Sequence, residues 1–182
     1  ASISRLGTLA QSLQTMQVQG DGAIVRQPGL MIGVQDQTIA TPDGHRSLCE
    51  HLSLTIAPGQ SLLVTGPSGV GKSSLMKTLA GLWTTGQGRL TAPPNTLFVP
   101  QQPYLPLGTL QQQLLYPQEA PIVSSELLVQ VLEQVGLPQL AQLSPDTEVD
   151  WSQRLSLGEQ QRLSFARVLL QRPAYVILDE AT

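Results

Sequence analysis

Residues 66–73 combine three glycines, a lysine and a serine at a spacing that suits a polyphosphate. They read Gly-Pro-Ser-Gly-Val-Gly-Lys-Ser, which matches the pattern G-x-x-x-x-G-K-S/T. Glycines let backbone N–H groups turn inward around phosphate oxygens, and a following helix adds its unpaired N–H groups and its positive end. Lys72 would reach the outer phosphates, and the Ser73 hydroxyl would bind Mg²⁺. The predicted nucleotide-binding residues are Gly66, Pro67, Ser68, Gly69, Val70, Gly71, Lys72, Ser73 and Ser74.

An acidic pair follows an apolar run much later in the chain. Asp179 and Glu180 come directly after residues 175–178, which we predict to be a strand. Beside a phosphate loop, such a pair is typical of a metal site. Asp179 would hold Mg²⁺ through its water shell, and Glu180 would polarise the attacking water. Two solvated acids at a strand end would give the same pattern, so this interpretation depends on the loop at 66–73.

The chemistry of these residues requires elements that bring them into place. A short apolar run at 61–65 is predicted to be the strand before the loop, and residues 73–79 the helix after it. Apolar residues alternate over 48–56, which predicts one strand of an antiparallel pair with a single buried face.

Further strands and helices are predicted downstream of the loop. Residues 97–99 form a short strand, an apolar helical stripe covers 127–135, and a helix over 158–171 ends before Pro173. The continuous apolar run at 175–178 predicts a central parallel strand, because such a strand is buried on both faces. Strands and helices arranged around a phosphate loop predict an α/β fold of the P-loop NTPase class.

The first 29 residues differ in character from the rest. Residues 1–18 place apolar side chains at helical spacing among Gln, Ser and Thr, which predicts an amphipathic helix. The stretch 20–29 contains Gly and Pro and is predicted to be a linker, so the globular domain would begin at residue 30.

Composition narrows the classes of function. The chain has 182 residues, which is enough for one domain with a core. Its formal net charge of -3 supplies no basic field to neutralise a nucleic-acid backbone, so we expect no nucleic-acid partner. No apolar run reaches the roughly 18 residues of a membrane span. The single cysteine, Cys49, excludes an internal disulfide.

Residues 155–162, Leu-Ser-Leu-Gly-Glu-Gln-Gln-Arg, resemble the signature motif of the ABC family of ATPases. The resemblance implies that Ser156 and Gly158, at a helix N-terminus, bind the γ-phosphate held by the loop of an opposite subunit. Leu157 stands where the family usually has a glycine. Residues 98–101, Phe-Val-Pro-Gln, resemble the segment that ends in the family's Q-loop glutamine. By that resemblance Gln101 would touch Mg²⁺ or the attacking water and report to a transmembrane partner.

Finer resemblance points to one branch of the ABC transporters. Residues 41–44, 97–110 and 150–152, together with the Leu-Ser-Leu-Gly-Glu form of the signature, look like the subfamily D and SbmA/YddA-like branch. The resemblance covers roughly residues 30–182. It implies a mainly parallel central sheet, an antiparallel β subdomain and a helical signature subdomain. It also implies a membrane domain in the same polypeptide, with residues 1–29 as its tail, at the cytoplasmic face of a membrane.

The sequence also departs from the family pattern. No aromatic residue precedes Trp83 to stack on adenine, so we expect an aliphatic contact near Ile39 or Thr41. The family's D-loop and switch histidine, which follow the acidic strand, are not found in this sequence, and His45 and His51 precede the phosphate loop. The chain as it stands is therefore expected to bind nucleotide but to hydrolyse it weakly.

These observations favour an ATP-binding and ATP-hydrolysing domain that powers a transporter. Two such domains would close head to tail on two ATP molecules, with Lys72, Gln101 and Glu180 as catalytic residues and Ser73, Gln101 and Asp179 at Mg²⁺. One alternative is a nucleotide sensor that binds without catalysis. Another is a non-transport ABC ATPase of chromosome maintenance, although the segment between loop and signature is short and proline-rich. A small-molecule kinase would leave residues 155–162 without a role.

Overall fold

A computed structural model describes residues 23–117, 123–143 and 147–180. The chain divides between Ala92 and Pro93 into two compact units, each of which is described by itself. The strands are β1 (Val25–Pro28), β2 (Ile32–Ala40), β3 (Ser47–Ile56), β4 (Gly86–Ala92), β5 (Thr96–Val99) and β6 (Tyr175–Leu178). The helices are α1 (Lys72–Leu79), α2 (Leu110–Leu115), α3 (Ser125–Gln134), α4 (Trp151–Arg154) and α5 (Leu157–Gln171), with a 3₁₀ turn at Pro138–Gln142.

The first unit is built on a four-stranded sheet with the order β1-β4-β2-β3. β2 pairs antiparallel with both β3 and β4, which confirms the antiparallel strand predicted over 48–56. β1 pairs in parallel with β4, from Val25 opposite Arg89 onward. The prediction of a linker over 20–29 is therefore wrong for β1, because ladder hydrogen bonds to β4 order a stretch that its Gly and Pro content marked as irregular. Residues 1–22, and with them the predicted amphipathic helix, lie outside the described residues.

The segment before the phosphate loop differs from its prediction. Residues 61–65 form no strand, and no described strand of this unit pairs with them. Leu62 and Leu63 are accordingly 49% and 84% exposed. The run has the composition of a strand buried on both faces, but such a strand exists only where neighbours accept its backbone hydrogen bonds.

The second unit combines a parallel strand pair with helices. β5 and β6 are parallel, with Thr96 opposite Tyr175 and Val99 opposite Leu178, as the family resemblance implies. Among the described residues β6 pairs with β5 only, so its predicted central position is not seen there, and Val176 and Leu178 are partly exposed. The helices predicted over 127–135 and 158–171 are present as α3 and α5.

One apolar core holds the helices of the second unit together. Its members come from α2, α3, α4, α5 and the segments between them: Leu110, Leu114, Val131, Leu132, Leu137, Leu140, Trp151, Leu155, Leu163 and Ala166. Trp151 is fully buried, and its indole Nε1 donates to the carbonyl oxygen of Gly108 at 2.8 Å. This contact anchors the segment that leads into the signature residues. Strands and helices mixed in this way confirm the predicted α/β class.

No helix in the described ranges combines the length and apolar character that crossing a membrane requires.

Candidate functional site

The phosphate loop has the backbone conformation that its glycines allow. Gly69 and Gly71 have φ angles of 77° and 105°, in the left-handed region that other residues rarely adopt. At Gly71, a Cβ atom would lie 3.2 Å from Cβ of Leu48 on β3, which leaves little room for a side chain. The loop therefore depends on glycine at this position both for its φ angle and for its close approach to β3.

The loop leads directly into the N-terminus of α1. Gly71 is the N-cap residue, and no side-chain hydrogen bond caps the helix. The ammonium group of Lys72 donates to the carbonyl oxygens of Gly66 and Pro67, both at 2.9 Å. The charge is thus held inside the loop, next to a helix end whose dipole is positive. Such an arrangement can bind the oxygens of a phosphate chain.

The other predicted loop residues lie between Gly66 and the first turn of α1, and their contact with phosphate stays a prediction. Pro67, Ser68 and Val70 belong to the turn between the two ends of the loop, and Ser73 and Ser74 lie in the first turn of α1. Of the residues predicted at Mg²⁺, Ser73 belongs to the first unit and Asp179 to the second, and each is described within its own unit.

In the second unit, the ends of two parallel strands bring the acidic pair and Gln101 together. Because Val99 lies opposite Leu178, the residues that follow each strand emerge at the same edge of the pair. The amide Nε2 of Gln101 donates to Oε2 of Glu180 at 3.0 Å. Asp179 is mostly buried, and its backbone N–H donates to the carbonyl of Val99 at 3.0 Å.

Glu180 carries a backbone conformation that is uncommon for its residue type. Its φ angle is 48°, in the left-handed region. Such positions cost free energy and are concentrated at functional sites, where the surrounding structure maintains them. The carboxylate that the sequence predicts to be catalytic therefore lies at a constrained position beside Gln101.

The signature residues form a capped helix N-terminus. Ser156 is the N-cap of α5, and its hydroxyl accepts a hydrogen bond from the N–H of Glu159. In return, Oε2 of Glu159 accepts from the hydroxyl and the N–H of Ser156, at 2.7 and 2.9 Å. These donors hold the pKa of Glu159 below its usual range. The role of Glu159 was missed by the sequence analysis, although Ser-x-x-Glu before a helix is the sequence pattern of a capping box.

The positions around Ser156 are open. A Cβ atom added at Gly158 would meet nothing within 4 Å, and Leu157, which replaces the family's glycine, exposes 55% of its surface. The protein itself therefore places no steric demand on Gly158, and its predicted contact with a phosphate stays a prediction.

The expected adenine contact near Ile39 or Thr41 stays a prediction. Ile39 belongs to β2, and its side chain is buried, with 1% of its surface exposed. Thr41 is half-buried, and its hydroxyl contacts Asp43 and accepts from the N–H of Arg46.

Sequence analysis also missed the polar contacts that α5 makes with the segment after Gln101. Arg167 is 7% exposed and donates to backbone carbonyls of Tyr104 and Gln113. A signal was present, because Arg167 lies beside Leu163 and Ala166, which belong to an apolar stripe on the helix predicted over 158–171. Pattern analysis alone treats such a residue as an interruption of the stripe.

Comparison with known proteins identifies the family. The family model for ABC transporters matches residues 49–182. An uncharacterized ABC transporter ATP-binding protein of Synechocystis sp. is 43% identical over 195 residues, which cover 100% of this chain and 30% of the relative. The human lysosomal cobalamin transporter ABCD4 is 41% identical over 159 residues, which cover 80% of this chain and 26% of the relative. The chain thus spans less than a third of the length of these relatives.

A solved structure supports the same fold. The structure of a bacterial Atm1-family ABC exporter with ATP bound aligns with a TM-score of 0.72 over 97% of this chain and 35% of that chain. At 23% identity, this likeness concerns the fold alone. The match to the family model and the identity with the two relatives show the family. The chain therefore belongs to the ABC transporter family, of which it is an ATP-binding domain.

Proposed function

We propose that this chain binds ATP with Mg²⁺ and hydrolyses ATP as the energy-supplying part of a longer transporter polypeptide. The observation that carries the proposal is the phosphate loop. Left-handed glycines lead into a helix without a side-chain cap, and the Lys72 ammonium rests on two loop carbonyls. A phosphate chain would replace those carbonyls as the partner of Lys72 and receive the N–H groups of the first turn of α1.

The proposed metal ligands suit Mg²⁺. Ser73 supplies a hydroxyl and Asp179 a carboxylate, which are the oxygen donors that this hard cation prefers. Gln101 supplies a third oxygen donor through its side-chain amide. When bound, Mg²⁺ would neutralise charge on the β- and γ-phosphate oxygens.

Glu180 is proposed to orient the attacking water. Its carboxylate already accepts a hydrogen bond from Gln101, so it lies at the edge where β5 and β6 end and has a polar neighbour that holds it there. The same carboxylate would accept a hydrogen bond from water and align it with the γ-phosphorus. Ser156 and Gly158 would complete the site of a second copy, with the positive end of α5 directed at the γ-phosphate.

The longer polypeptide is proposed from the lengths of the relatives. The chain covers between a quarter and a third of the Synechocystis protein and of human ABCD4. We therefore propose that a membrane domain precedes the ATP-binding domain in the same polypeptide. The ATP-binding domain, at the cytoplasmic face, then includes β1 (Val25–Pro28) as well as residues 30–182, because β1 pairs with β4. Two such polypeptides would close their ATP-binding domains head to tail. The relatives' names describe different proteins, so they assign no cargo to this one.

The proposal is tested by two variants of the full-length protein. We expect Lys72→Ala to weaken binding of ATP with Mg²⁺ about tenfold or more, because a charge-assisted contact is lost. Lys77→Ala, a lysine of the same helix outside the motif, is the control. Glu180→Gln should retain ATP affinity and lower the turnover number about a hundredfold or more. Isothermal titration calorimetry and phosphate release measure the two effects. Binding by Lys72→Ala that equals the parent's would contradict the phosphate-loop assignment.

A further inference from the structure

One side of α5 donates hydrogen bonds to the main chain of residues 101–116. Gln161 Nε2 donates to the carbonyl oxygen of Gln101 at 3.3 Å. Arg167 donates to the carbonyl of Tyr104 through both terminal nitrogens at 3.1 Å, and to that of Gln113 through Nε at 2.7 Å. Gln171 Nε2 lies within 3.0 Å of three successive carbonyl oxygens, those of Leu114, Leu115 and Tyr116.

These donors act as one set. At about 100° per residue, positions 161, 167 and 171 fall within an arc of roughly 120° on the helix. All three side chains donate to backbone carbonyl oxygens, and Arg167 makes one additional, longer contact with Oε1 of Gln113 at 3.5 Å. The helix that begins with the signature serine therefore holds the shape of the segment that begins with Gln101.

The backbone of this segment is satisfied largely by side-chain donors, and within the segment itself Gln113 Nε2 donates to the carbonyl oxygen of Pro106 at 2.7 Å. Between β5 and α2, residues 100–108 form no regular element apart from a single bridge at Gly108. Three of these residues, Pro100, Pro103 and Pro106, have no N–H to donate. Buried carbonyl groups without partners are costly, so the conformation of this segment is set by the side chains that donate to it.

Arg167 is the central donor and the most demanding to bury. It is 7% exposed, and in the residues that the structure describes no carboxylate forms an ion pair with it. Its guanidinium also lies 5.3 Å from the centre of the Tyr116 ring. Burial lowers its pKa to about 10. An apolar side chain would avoid this desolvation, but only the planar fork of arginine can donate to both carbonyls at once.

We propose that Arg167 is a positioning residue, which fixes residues 101–116 to α5 and thereby holds Gln101 in place for the reaction. The inference rests on the proposed hydrolysis of ATP. Through Arg167, Ser156 at the start of α5 and Gln101 beside Glu180 keep a fixed distance and orientation within this unit. Gln161, which donates to Gln101 itself, supports the same relation.

A double-mutant cycle in the full-length protein tests the role of Arg167. Arg167→Lys keeps the charge but loses the fork, so we expect the turnover number to fall about tenfold while ATP affinity stays within about twofold. If Arg167 acts through Gln101, the substitution should cause no further loss in a Gln101→Ala background. Arg172→Lys, an exposed arginine just after the same helix, is the control.

A milder variant covers the outcome in which Arg167→Lys does not fold. Gln161→Ala removes only the contact with the carbonyl of Gln101, and we expect a loss in turnover of about twofold that is likewise absent in the Gln101→Ala background. Additive losses in either cycle, or an equal fall in ATP affinity and turnover, would overturn the role. A parent protein that binds ATP without hydrolysing it would refute the proposed function itself, and the role of Arg167 with it.

Discussion

The two helices proposed to face phosphate begin in different ways. α1 follows the left-handed Gly71, and no side-chain hydrogen bond caps its N-terminus. α5 begins with Ser156, whose hydroxyl and N–H are both bound by the carboxylate of Glu159. Both helix ends carry the same positive dipole, but one is open and the other already holds an anion of its own.

This difference separates two steps, the binding of ATP by one copy and the association of two copies on ATP. At the N-terminus of α1, a phosphate would replace the contacts of Lys72 with the loop carbonyls. At α5 the phosphate bound to a second copy would have to replace the Glu159 carboxylate as the acceptor of hydrogen bonds from Ser156. We therefore expect changes at α1 to alter the affinity for ATP, and changes at α5 to alter the ATP-driven association of two copies.

The largest effect on ATP binding is expected from a substitution at Gly71, before the N-terminus of α1. Gly71→Ala would place a Cβ at a φ angle of 105° and against Leu48, so the loop must shift. We expect ATP affinity to fall about tenfold, since a left-handed alanine costs about 1 to 2 kcal/mol. Gly136→Ala carries a similar backbone cost just after α3, with open space around it, and should bind ATP like the parent. Titration calorimetry of the two variants measures the difference, and equal affinities would remove the contrast between the helices.

A smaller effect is expected from removing the cap of α5. Ser156→Ala should destabilise the helix by about 1 kcal/mol and also lower the turnover number. Ser124, which caps α3 through the N–H of Leu127, gives a matched control. Ser124→Ala should cost similar stability and leave turnover unchanged. Hydrogen exchange at the first turn of each helix measures stability, and phosphate release measures turnover. Loss of turnover in both variants would show that the effect is one of folding.

The smallest effect is expected at Glu159, where it should have the opposite sign. Glu159→Gln preserves the shape of the capping box but removes a charge that competes with phosphate. We expect the ATP concentration for half-maximal turnover to fall about twofold, with a weaker effect at high salt. Glu126→Gln, in the first turn of α3, is the control. An unchanged or higher half-maximal concentration would show that Glu159 does not oppose closing.

The same pair of proteins has a defined dependence on pH. Hydrogen bonds from Ser156 lower the pKa of Glu159 in the folded chain, so its contribution to stability is present above the ordinary carboxyl pKa. That contribution is lost as the pH falls through the lowered value. The parent should therefore be slightly more stable than Glu159→Gln near pH 7, and the difference should shrink as the pH falls below the ordinary carboxyl pKa of about 4.3. Thermal denaturation over a series of pH values from 7 downward measures it.

Local patterns predicted the parts of the fold that depend on neighbours in sequence. The helix predicted over 73–79 begins one residue earlier, at Lys72, and the one predicted over 158–171 begins at Leu157. These helix boundaries could be predicted because capping residues and glycines act on neighbours within a few residues. The strand predicted over 61–65 was wrong and β1 was missed, because a strand is defined by partners that local composition does not reveal.

By itself the sequence determined the membership in the ABC transporter family, and it predicted the phosphate loop and the acidic pair. These follow from residue types at short, fixed spacing. Only the tertiary structure decided that Gln101 contacts Glu180, and that Arg167 binds the carbonyl of a residue 63 positions earlier. The reason is physical: a buried carbonyl takes whichever donor the packing of helices brings to it, and that choice is made across the fold rather than along the chain.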